Sequence, residues 1–202
     1  MIVIVDYGVG NIRNVERAFT KLNLEVVVTR DIDLINQAQA IILPGVGAFR
    51  DAISNLKKYD LVECLKQNAA KGTWIVGICL GMQLLYDKSY EDGEYEGLGL
   101  LRGEIVKFDD TELKVPHMGW NQLVKRREDE IGKGLSENDY VYFVHSYYLK
   151  NEDTDSVVFT SSYGVDVPAI IRKNNIIGMQ FHPEKSGDVG VRILSNLKEL
   201  IV

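Results

Sequence analysis

Four short apolar runs in the first half of the chain constrain its fold more than any other feature of the sequence. The runs are rich in isoleucine and valine and lie at residues 1–5, 24–29, 40–43 and 74–78. Between the first two runs, Ile12, Val15, Phe19 and Leu22 recur three or four residues apart, as the buried face of a helix does. Short apolar strands that alternate with amphipathic helices are typical of βαβ units. This half therefore predicts a parallel sheet covered by helices on both faces.

The second half of the chain changes from alternation to successive strands. Strands are predicted at residues 103–108, 120–124, 140–147, 156–161, 167–172 and 176–181. Asn174 and Asn175 separate the last two and give the turn signal of a hairpin, and a final helix is predicted after Ser186. We find no repeat and no long linker. Residues 1–202 therefore predict a single doubly wound α/β domain, with a mainly parallel central sheet and an antiparallel strand extension in the second half.

The net charge and the hydropathy of the sequence limit which partners and which cellular compartment we expect. The formal net charge of −6 argues against nucleic acid, whose binding relies on clustered lysine and arginine. No run approaches the ~20 apolar residues that cross a bilayer. The N-terminus turns acidic at Asp6 and lacks the positive segment of a signal peptide. Cys64 and Cys79 lie in unlike contexts and do not predict a disulfide. We expect a cytoplasmic protein that binds neither nucleic acid nor membrane.

Cys79 stands at a predicted strand-to-helix turn. The strand at residues 73–76 leads into Gly77-Ile78-Cys79-Leu80-Gly81, and a helical stretch follows. This is the pattern of a nucleophile elbow, in which flanking glycines permit a tight turn and the new helix directs its first amides at the nucleophile, favouring a thiolate. A small apolar cysteine buried at a βα junction would give the same five residues. The pattern alone leaves both interpretations open.

The loop after the strand at residues 40–43 has the composition of an oxyanion loop, Pro44-Gly45-Val46-Gly47. Acyl-transfer enzymes with an elbow take one oxyanion donor from the residue after the nucleophile, here the amide of Leu80. The second donor comes from a loop that follows an earlier strand. The two glycines would let this loop turn an amide toward the site. An ordinary Pro-Gly turn is the alternative.

Three histidines could supply the base that a thiol nucleophile needs: His117, His145 and His182. His182 ends an apolar strand, and Glu184 follows two residues later, with Pro183 fixing the backbone between them. The carboxylate can therefore reach back and orient the imidazole, as the third member of a catalytic triad does. His145 also follows an apolar strand. Spacing favours His182 without excluding His145.

These motifs together resemble the class I glutamine amidotransferases in order and spacing. The matching segments are residues 44–47, 77–83 and 180–184. Within that class, three further segments resemble the glutaminase subunit of imidazole glycerol phosphate synthase, namely Asp-Tyr-Gly-Val-Gly-Asn at 6–11, Pro-His-Met-Gly-Trp-Asn at 116–121 and Tyr-Phe-Val-His-Ser-Tyr at 142–147. The resemblance runs from the first strand to the last helix, and it departs at no triad or oxyanion position.

The resemblance implies a flavodoxin-like fold and a catalytic role for three residues. Cys79 would attack the glutamine carboxamide and form a thioester, His182 would act as general base and then acid, and Glu184 would orient His182. Residues implied to bind the oxyanion or the substrate are Gly45, Val46, Gly47, Leu80 and Gln83. A peptide of the loop at residues 44–47 would flip to complete the oxyanion hole when a partner binds.

The resemblance also implies a partner, a (β/α)₈-barrel cyclase subunit that receives the ammonia in a heterodimer. Residues in or beside the matching motifs are candidates for the coupling face, namely Asn11, Trp120, Tyr142 and Lys185. The resemblance implies no metal and no cofactor. For His117 and His145 we expect strand-end hydrogen bonding rather than acid–base chemistry.

The sequence suggests three alternatives to this function. A nucleotide-binding module is suggested by Gly8 and Gly10 after the first strand, but the third glycine of that fingerprint would fall at Arg13. A non-catalytic scaffold that has kept the fold is a second alternative, and the intact triad counts against it. The third is a paralogue that supplies ammonia to a sugar amidotransferase for surface polysaccharide or flagellin glycans. Its active-site motifs would be the same.

Overall fold

The computed structural model describes residues 1–109, 111–150 and 153–202. In these residues the α-helices are α1 (Ile12–Thr20), α2 (Ile32–Asn36), α3 (Phe49–Lys58), α4 (Leu61–Ala70), α5 (Leu80–Leu84) and α6 (Gly187–Ile201). The strands are β1 (Ile2–Val5), β2 (Val26–Thr29), β3 (Ala40–Leu43), β4 (Trp74–Ile78), β5 (Lys88–Ser89), β6 (Tyr95–Glu96), β7 (Glu104–Lys107), β8 (His117–Gln122), β9 (Val124–Lys125), β10 (Tyr140–His145), β11 (Tyr147–Lys150), β12 (Val157–Tyr163), β13 (Val165–Lys173) and β14 (Ile176–Met179). Short 3-10 helices lie at Glu130–Gly132, Thr154–Ser156 and Pro183–Lys185.

The central sheet has the strand order β2-β1-β3-β4-β14-β13-β12-β9. The first five strands in this order run parallel to their neighbours, and β13, β12 and β9 continue the sheet in antiparallel pairs. The predicted fold class is therefore confirmed. The hairpin between β13 and β14 turns at Asn174, whose φ of 53° is the left-handed conformation that asparagine tolerates well.

Helices cover both faces of this sheet, as the continuous apolar runs require. Along β1, Ile2 and Ile4 contribute to a core with residues of α1 and α6, whereas Val3 and Val5 contribute to a second core with residues of α3 and α4. All four side chains are almost fully buried. Burying one aliphatic side chain of this size contributes about 1.5–3 kcal/mol, so the strands form a rigid support for the loops at their ends.

The second-half strands divide among three sheets, which their pattern did not predict. The prediction of a single strand at residues 140–147 is wrong. The chain breaks at Ser146, so that β10 pairs with β8 while β11 pairs with β7 in a separate four-stranded sheet. β10 and β11 therefore belong to different sheets, and the break at Ser146 separates them. β14 also differs from the other second-half strands, because it inserts beside β4 and runs parallel to it.

This insertion positions the candidate site. β3, β4 and β14 are adjacent and parallel, so their carboxyl ends meet at one edge of the sheet. Pro44 follows β3, Cys79 follows β4, and His182 lies three residues beyond β14. The crevice outside the carboxyl ends of parallel strands is where open α/β sheets bind their ligands. Three motifs that are far apart in the sequence therefore converge there.

Candidate active site

Cys79 occupies the turn between β4 and α5 with φ 53° and ψ −110°, a conformation in which a residue with a side chain is strained. Neighbouring glycines permit this turn. A Cβ at Gly81 would lie 1.8 Å from the carbonyl oxygen of Leu43, and a Cβ at Gly77 would lie 2.6 Å from the backbone of Gly81. The strand, the strained residue and the short helix together have the geometry of a nucleophile elbow.

The sulfur of Cys79 points toward the second half of the chain. The amide nitrogen of Gln180 lies 3.7 Å from the sulfur, and the carbonyl oxygen of Val144 lies 3.9 Å from it. Among the described residues, no amide at the start of α5 donates a hydrogen bond to the Cys79 side chain. The expectation that these amides favour a thiolate stays a prediction.

His182 and Glu184 form a buried pair in which Nδ1 lies 2.9 Å from Oε1, and both side chains are 2% exposed. The 3-10 helix Pro183–Lys185 brings the carboxylate back to the ring. In the described part of the chain, Nε2 of His182 is buried and has no hydrogen-bond partner. Burial acts to lower the pKa of His182. Interactions with Cys79 and Glu184 outweigh burial and raise that pKa to about 9. The arrangement can hold an imidazolium at neutral pH.

This raised pKa gives a direct test of the geometry. We expect His182 to titrate near pH 9 in the native chain, and at lower pH in both Cys79→Ala and Glu184→Gln, because each change removes one of the interactions that raise the pKa of His182. The stability linked to this group is complete below its ordinary pKa of 6.5 and is lost as the pH rises through about 9. Histidine-selective NMR titration measures the midpoint, and an unchanged midpoint in both variants would contradict the arrangement.

The other two histidines serve as internal references in that titration. Burial lowers the pKa of His117 to about 4 and that of His145 to about 3. Both rings are therefore neutral over the range in which His182 titrates. His145 lines the same cavity as Cys79, but its low pKa makes it a poor proton acceptor.

The loop at residues 44–47, which the sequence predicts to be an oxyanion loop, has one of its carbonyl groups bonded to the predicted donor amide. The amide of Leu80 donates a hydrogen bond to the carbonyl oxygen of Gly45 at 3.4 Å, so a carbonyl faces the donor that an oxyanion would need. The buried hydroxyl of Tyr7 donates to the carbonyl oxygen of Pro44 and holds the start of the loop. Gly47 has φ 109°, which only glycine adopts readily, and Val46 is partly exposed at the cavity mouth.

The cavity beside Cys79 has a volume of about 370 Å³. It is lined by Val46, Gly47, Cys79, Leu80, Gln83, Glu91, Pro116, Val144, His145, Ser146 and Tyr147. Gln83 lines the cavity, and its amide nitrogen is bonded to the carbonyl oxygen of Tyr147 at 2.9 Å and to Oε1 of Gln180 at 3.1 Å. Its contact with a substrate would therefore come from the rest of its side chain.

Sequence reasoning gave no role to two polar residues, one in the cavity wall and one beside the sulfur. Glu91, half-buried in the cavity wall, accepts a hydrogen bond from the amide of Phe49 at 2.8 Å. Its loop carries no motif, so nothing local indicated it. Gln180, completely buried, links Gln83 to Cys79. A polar residue between the apolar Met179 and Phe181 was the available signal, since buried amides are retained where they have partners.

Three of the four candidate interface residues contact one another. Trp120 is 54% exposed, and its ring meets that of Tyr142 edge-on with 6.1 Å between centroids. The Lys185 ammonium lies 6.0 Å from the Tyr142 ring centroid. Asn11 is the residue before α1, and α1 contacts the 3-10 helix that contains Lys185. Trp120, Tyr142 and Lys185 therefore form one aromatic and cationic cluster, and Asn11 lies at the start of a helix that contacts the segment of Lys185.

Within residues 1–109, 111–150 and 153–202, no group of three or more His, Cys, Asp or Glu side chains is arranged to hold a metal ion. Across the same ranges, no helix is both long enough and apolar enough to cross a bilayer.

Comparison with known proteins establishes the protein class that the fold and the nucleophile elbow indicate. The chain belongs to the class-I glutamine amidotransferase family, whose profile matches residues 3–198. It is 50% identical to the imidazole glycerol phosphate synthase subunit HisH of Lactococcus lactis subsp. lactis, with 99% of this chain and 98% of the relative covered. It is also 50% identical to the HisH subunit of Carboxydothermus hydrogenoformans over the full length of both proteins.

Solved structures agree on the fold. A glutamine amidotransferase crystal structure has a TM-score of 0.79 and 20% identity, with 100% of this chain and 99% of that chain covered. PurLQS from Thermotoga maritima has a TM-score of 0.75 and 20% identity, with 100% and 98% covered.

Proposed function

We propose that this chain is the glutaminase subunit of imidazole glycerol phosphate synthase. It would hydrolyse glutamine to glutamate and ammonia and pass the ammonia to a cyclase subunit, which makes imidazole glycerol phosphate and AICAR in histidine biosynthesis. The observation that carries the proposal is Cys79 at a strained elbow, facing a cavity, beside the buried His182–Glu184 pair. Full-length relatives with this name, at 50% identity, support the choice of pathway.

The chemistry follows from these positions. The sulfur of Cys79 attacks the carboxamide carbon of glutamine, and the oxygen becomes an oxyanion. His182 gives its Nε2 proton to the departing nitrogen, which leaves as ammonia, and a γ-glutamyl thioester remains on Cys79. His182 then takes a proton from water, which attacks the thioester and releases glutamate and the thiol. Glu184 holds Nδ1 throughout and stabilises the imidazolium.

Glu91 supplies a recognition group for the amino-acid end of glutamine. Its carboxylate is in the cavity wall with Cys79, and burial raises its pKa. A bound α-ammonium would reverse that shift, since an opposite charge favours the ionised carboxylate. We propose that this pairing orients glutamine with its carboxamide toward the sulfur.

The Leu80–Gly45 hydrogen bond is the basis for proposing control by a partner. The amide that should stabilise the oxyanion is engaged by a carbonyl, so rotation of a peptide in the loop is needed before catalysis. We propose that docking of a (β/α)₈-barrel cyclase subunit, as a heterodimer, favours the rotated state. Asn11, Trp120, Tyr142 and Lys185 would form the coupling face.

Two further points belong to the same proposal. The main sheet takes neighbouring strands from both halves of the chain, so residues 1–202 would act as one domain. Cys64 and Cys79 are both free thiols, which suits a reducing compartment, and we propose a cytoplasmic location.

Genetic complementation tests the pathway. We expect the gene to restore growth without histidine, on medium low in ammonium, to a strain that lacks its own glutaminase subunit. The Cys79→Ala gene, expressed at the same level, is the control and should not restore growth. Failure of the native gene, with glutaminase activity shown on a sugar amidotransferase instead, would favour the paralogue.

A further inference from the structure

His117 and His145 are buried histidines that the proposed mechanism does not use. They lie opposite each other in the β8–β10 ribbon, and they are 1% and 7% exposed. Nδ1 of His117 lies 2.9 Å from Nε2 of His145. Two rings in direct contact are costly to charge, and burial keeps both neutral. Each ring therefore carries one proton, and the surrounding acceptors decide where it sits.

The partners at the two ends of this pair fix both tautomers. Nδ1 of His145 lies 2.8 Å from the carbonyl oxygen of Tyr147, which can only accept, so this nitrogen carries the proton. Nε2 of His145 must then accept, and Nδ1 of His117 must donate to it. That leaves Nε2 of His117 as an acceptor, and the amide nitrogen of Asn121 lies 2.9 Å from it as a donor. The four groups form a chain of hydrogen bonds with one direction.

Packing holds the first ring of this chain in place. His117 is stacked between Phe143 and Tyr163, with centroid distances of 4.6 and 4.1 Å and interplanar angles of 19° and 15°. Asn121 also donates to the carbonyl oxygen of Ser162 at 3.3 Å, so its amide is oriented independently of the histidine. The chain of hydrogen bonds therefore starts from groups that the ribbon and β12 already fix.

The other end of this chain of hydrogen bonds is the wall of the cavity beside Cys79. Val144, His145, Ser146 and Tyr147 all line it. The carbonyl oxygen of Tyr147 receives two donors, Nδ1 of His145 and the amide of Gln83 from α5. The Val144 carbonyl, one residue before His145, is the group 3.9 Å from the Cys79 sulfur. This wall lies at the break between β10 and β11, where the backbone changes its pairing partner, and the side-chain bonds of His145 and Gln83 add to the backbone bond from Phe108 to the Ser146 carbonyl oxygen.

We propose that His145, oriented by His117 and Asn121, is a positioning residue that sets the cavity wall at residues 144–147 for glutamine binding. It moves no proton in the reaction. The inference deepens the proposed function and concerns affinity for glutamine rather than the chemical step. If it is correct, the two tautomers are fixed before any substrate arrives.

The first test needs no variant and no activity. Long-range proton–nitrogen NMR correlation on the full chain reports which ring nitrogen carries the proton. We expect both His117 and His145 to be protonated at Nδ1 and to remain so from pH 6 to 9. An Nε2-protonated form of either ring, or titration of either in this range, would overturn the proposal. The result is independent of whether the chain hydrolyses glutamine.

The second test compares two substitutions of His145 in the partner-activated enzyme. His145→Leu leaves the Tyr147 carbonyl and the His117 donor without this partner, and buried groups left this way cost enough to raise KM for glutamine roughly tenfold or more. We expect kcat to change by less than about threefold, since the triad is untouched. His145→Gln can both accept from His117 and donate to Tyr147, and should restore most of the affinity.

Binding without turnover separates this proposal from the proposed function. Calorimetry of glutamine with Cys79→Ala, alone and combined with each His145 change, should show the same order of affinities. Equal affinity in the leucine and glutamine variants, or loss of kcat at unchanged KM, would overturn the positioning role. Absence of any glutamine binding by Cys79→Ala would count against the proposed function instead.

Discussion

Replacing Cys79 by alanine is expected to abolish glutamine hydrolysis while leaving the fold intact. The sulfur is the atom that forms the thioester in the proposed mechanism, and nothing else near the elbow can take its place. Loss of a triad nucleophile costs about 10⁴–10⁶ in rate in related chemistries. The residue is 6% exposed and alanine is smaller, so the substitution adds no steric conflict. Release of glutamate by the partner-activated enzyme is the measurement.

The second cysteine offers a matched control. Cys64 is equally buried, in α4, where its sulfur lies 3.6 Å from the amide nitrogen of Asn68, and burial raises its pKa. Cys64→Ala should keep near-native activity, and thiol alkylators that resemble glutamine should label Cys79 and leave Cys64 unmodified. If Cys79→Ala retained a tenth of native activity, the assignment of the nucleophile would have to be abandoned.

The isolated chain is expected to hydrolyse glutamine about 10²–10³ times more slowly than the same chain docked on its cyclase subunit. In the isolated structure the Leu80 amide is bonded to the Gly45 carbonyl, so one donor of the proposed oxyanion hole is engaged elsewhere. Such a donor contributes about 3–4 kcal/mol to transition-state stabilisation, and an interface can shift a two-state loop by a coupling energy of comparable order. Glutamate release should be measured before and after adding the cyclase subunit and its ligand.

Two surface variants make this test specific to the coupling face. Trp120→Ala should leave the slow rate of the isolated chain unchanged and reduce the stimulation, because this large exposed side chain is central to the proposed face. Val165→Ala, also at an exposed apolar residue but at the start of β13, should leave both rates unchanged. Full turnover by the lone chain, unaltered by the partner, would remove the basis for the coupling argument.

The sequence by itself determined the features that depend on neighbours in the chain. The alternation of apolar strands and helical spacing predicted the parallel half of the sheet, because a strand buried on both faces needs a continuous apolar run. The elbow at Cys79 required glycines within two residues of it, and these are visible in any reading of the sequence. The relation of Glu184 to His182 was likewise local, since two residues and a proline set their distance.

Only the tertiary structure decided how distant segments meet. The second-half strands share one alternating pattern, so nothing local indicated that β14 would insert beside β4 while β10 and β11 would join different sheets. His182 and His145 both follow apolar strands, and the insertion of β14 decides that His182 is the one placed beside the end of β4. Only the tertiary structure decided the position of Glu91 in the cavity wall and the hydrogen bond between Leu80 and Gly45. Each depends on the approach of backbones and side chains from different strands, and hydrophobic periodicity carries no information about strand partners.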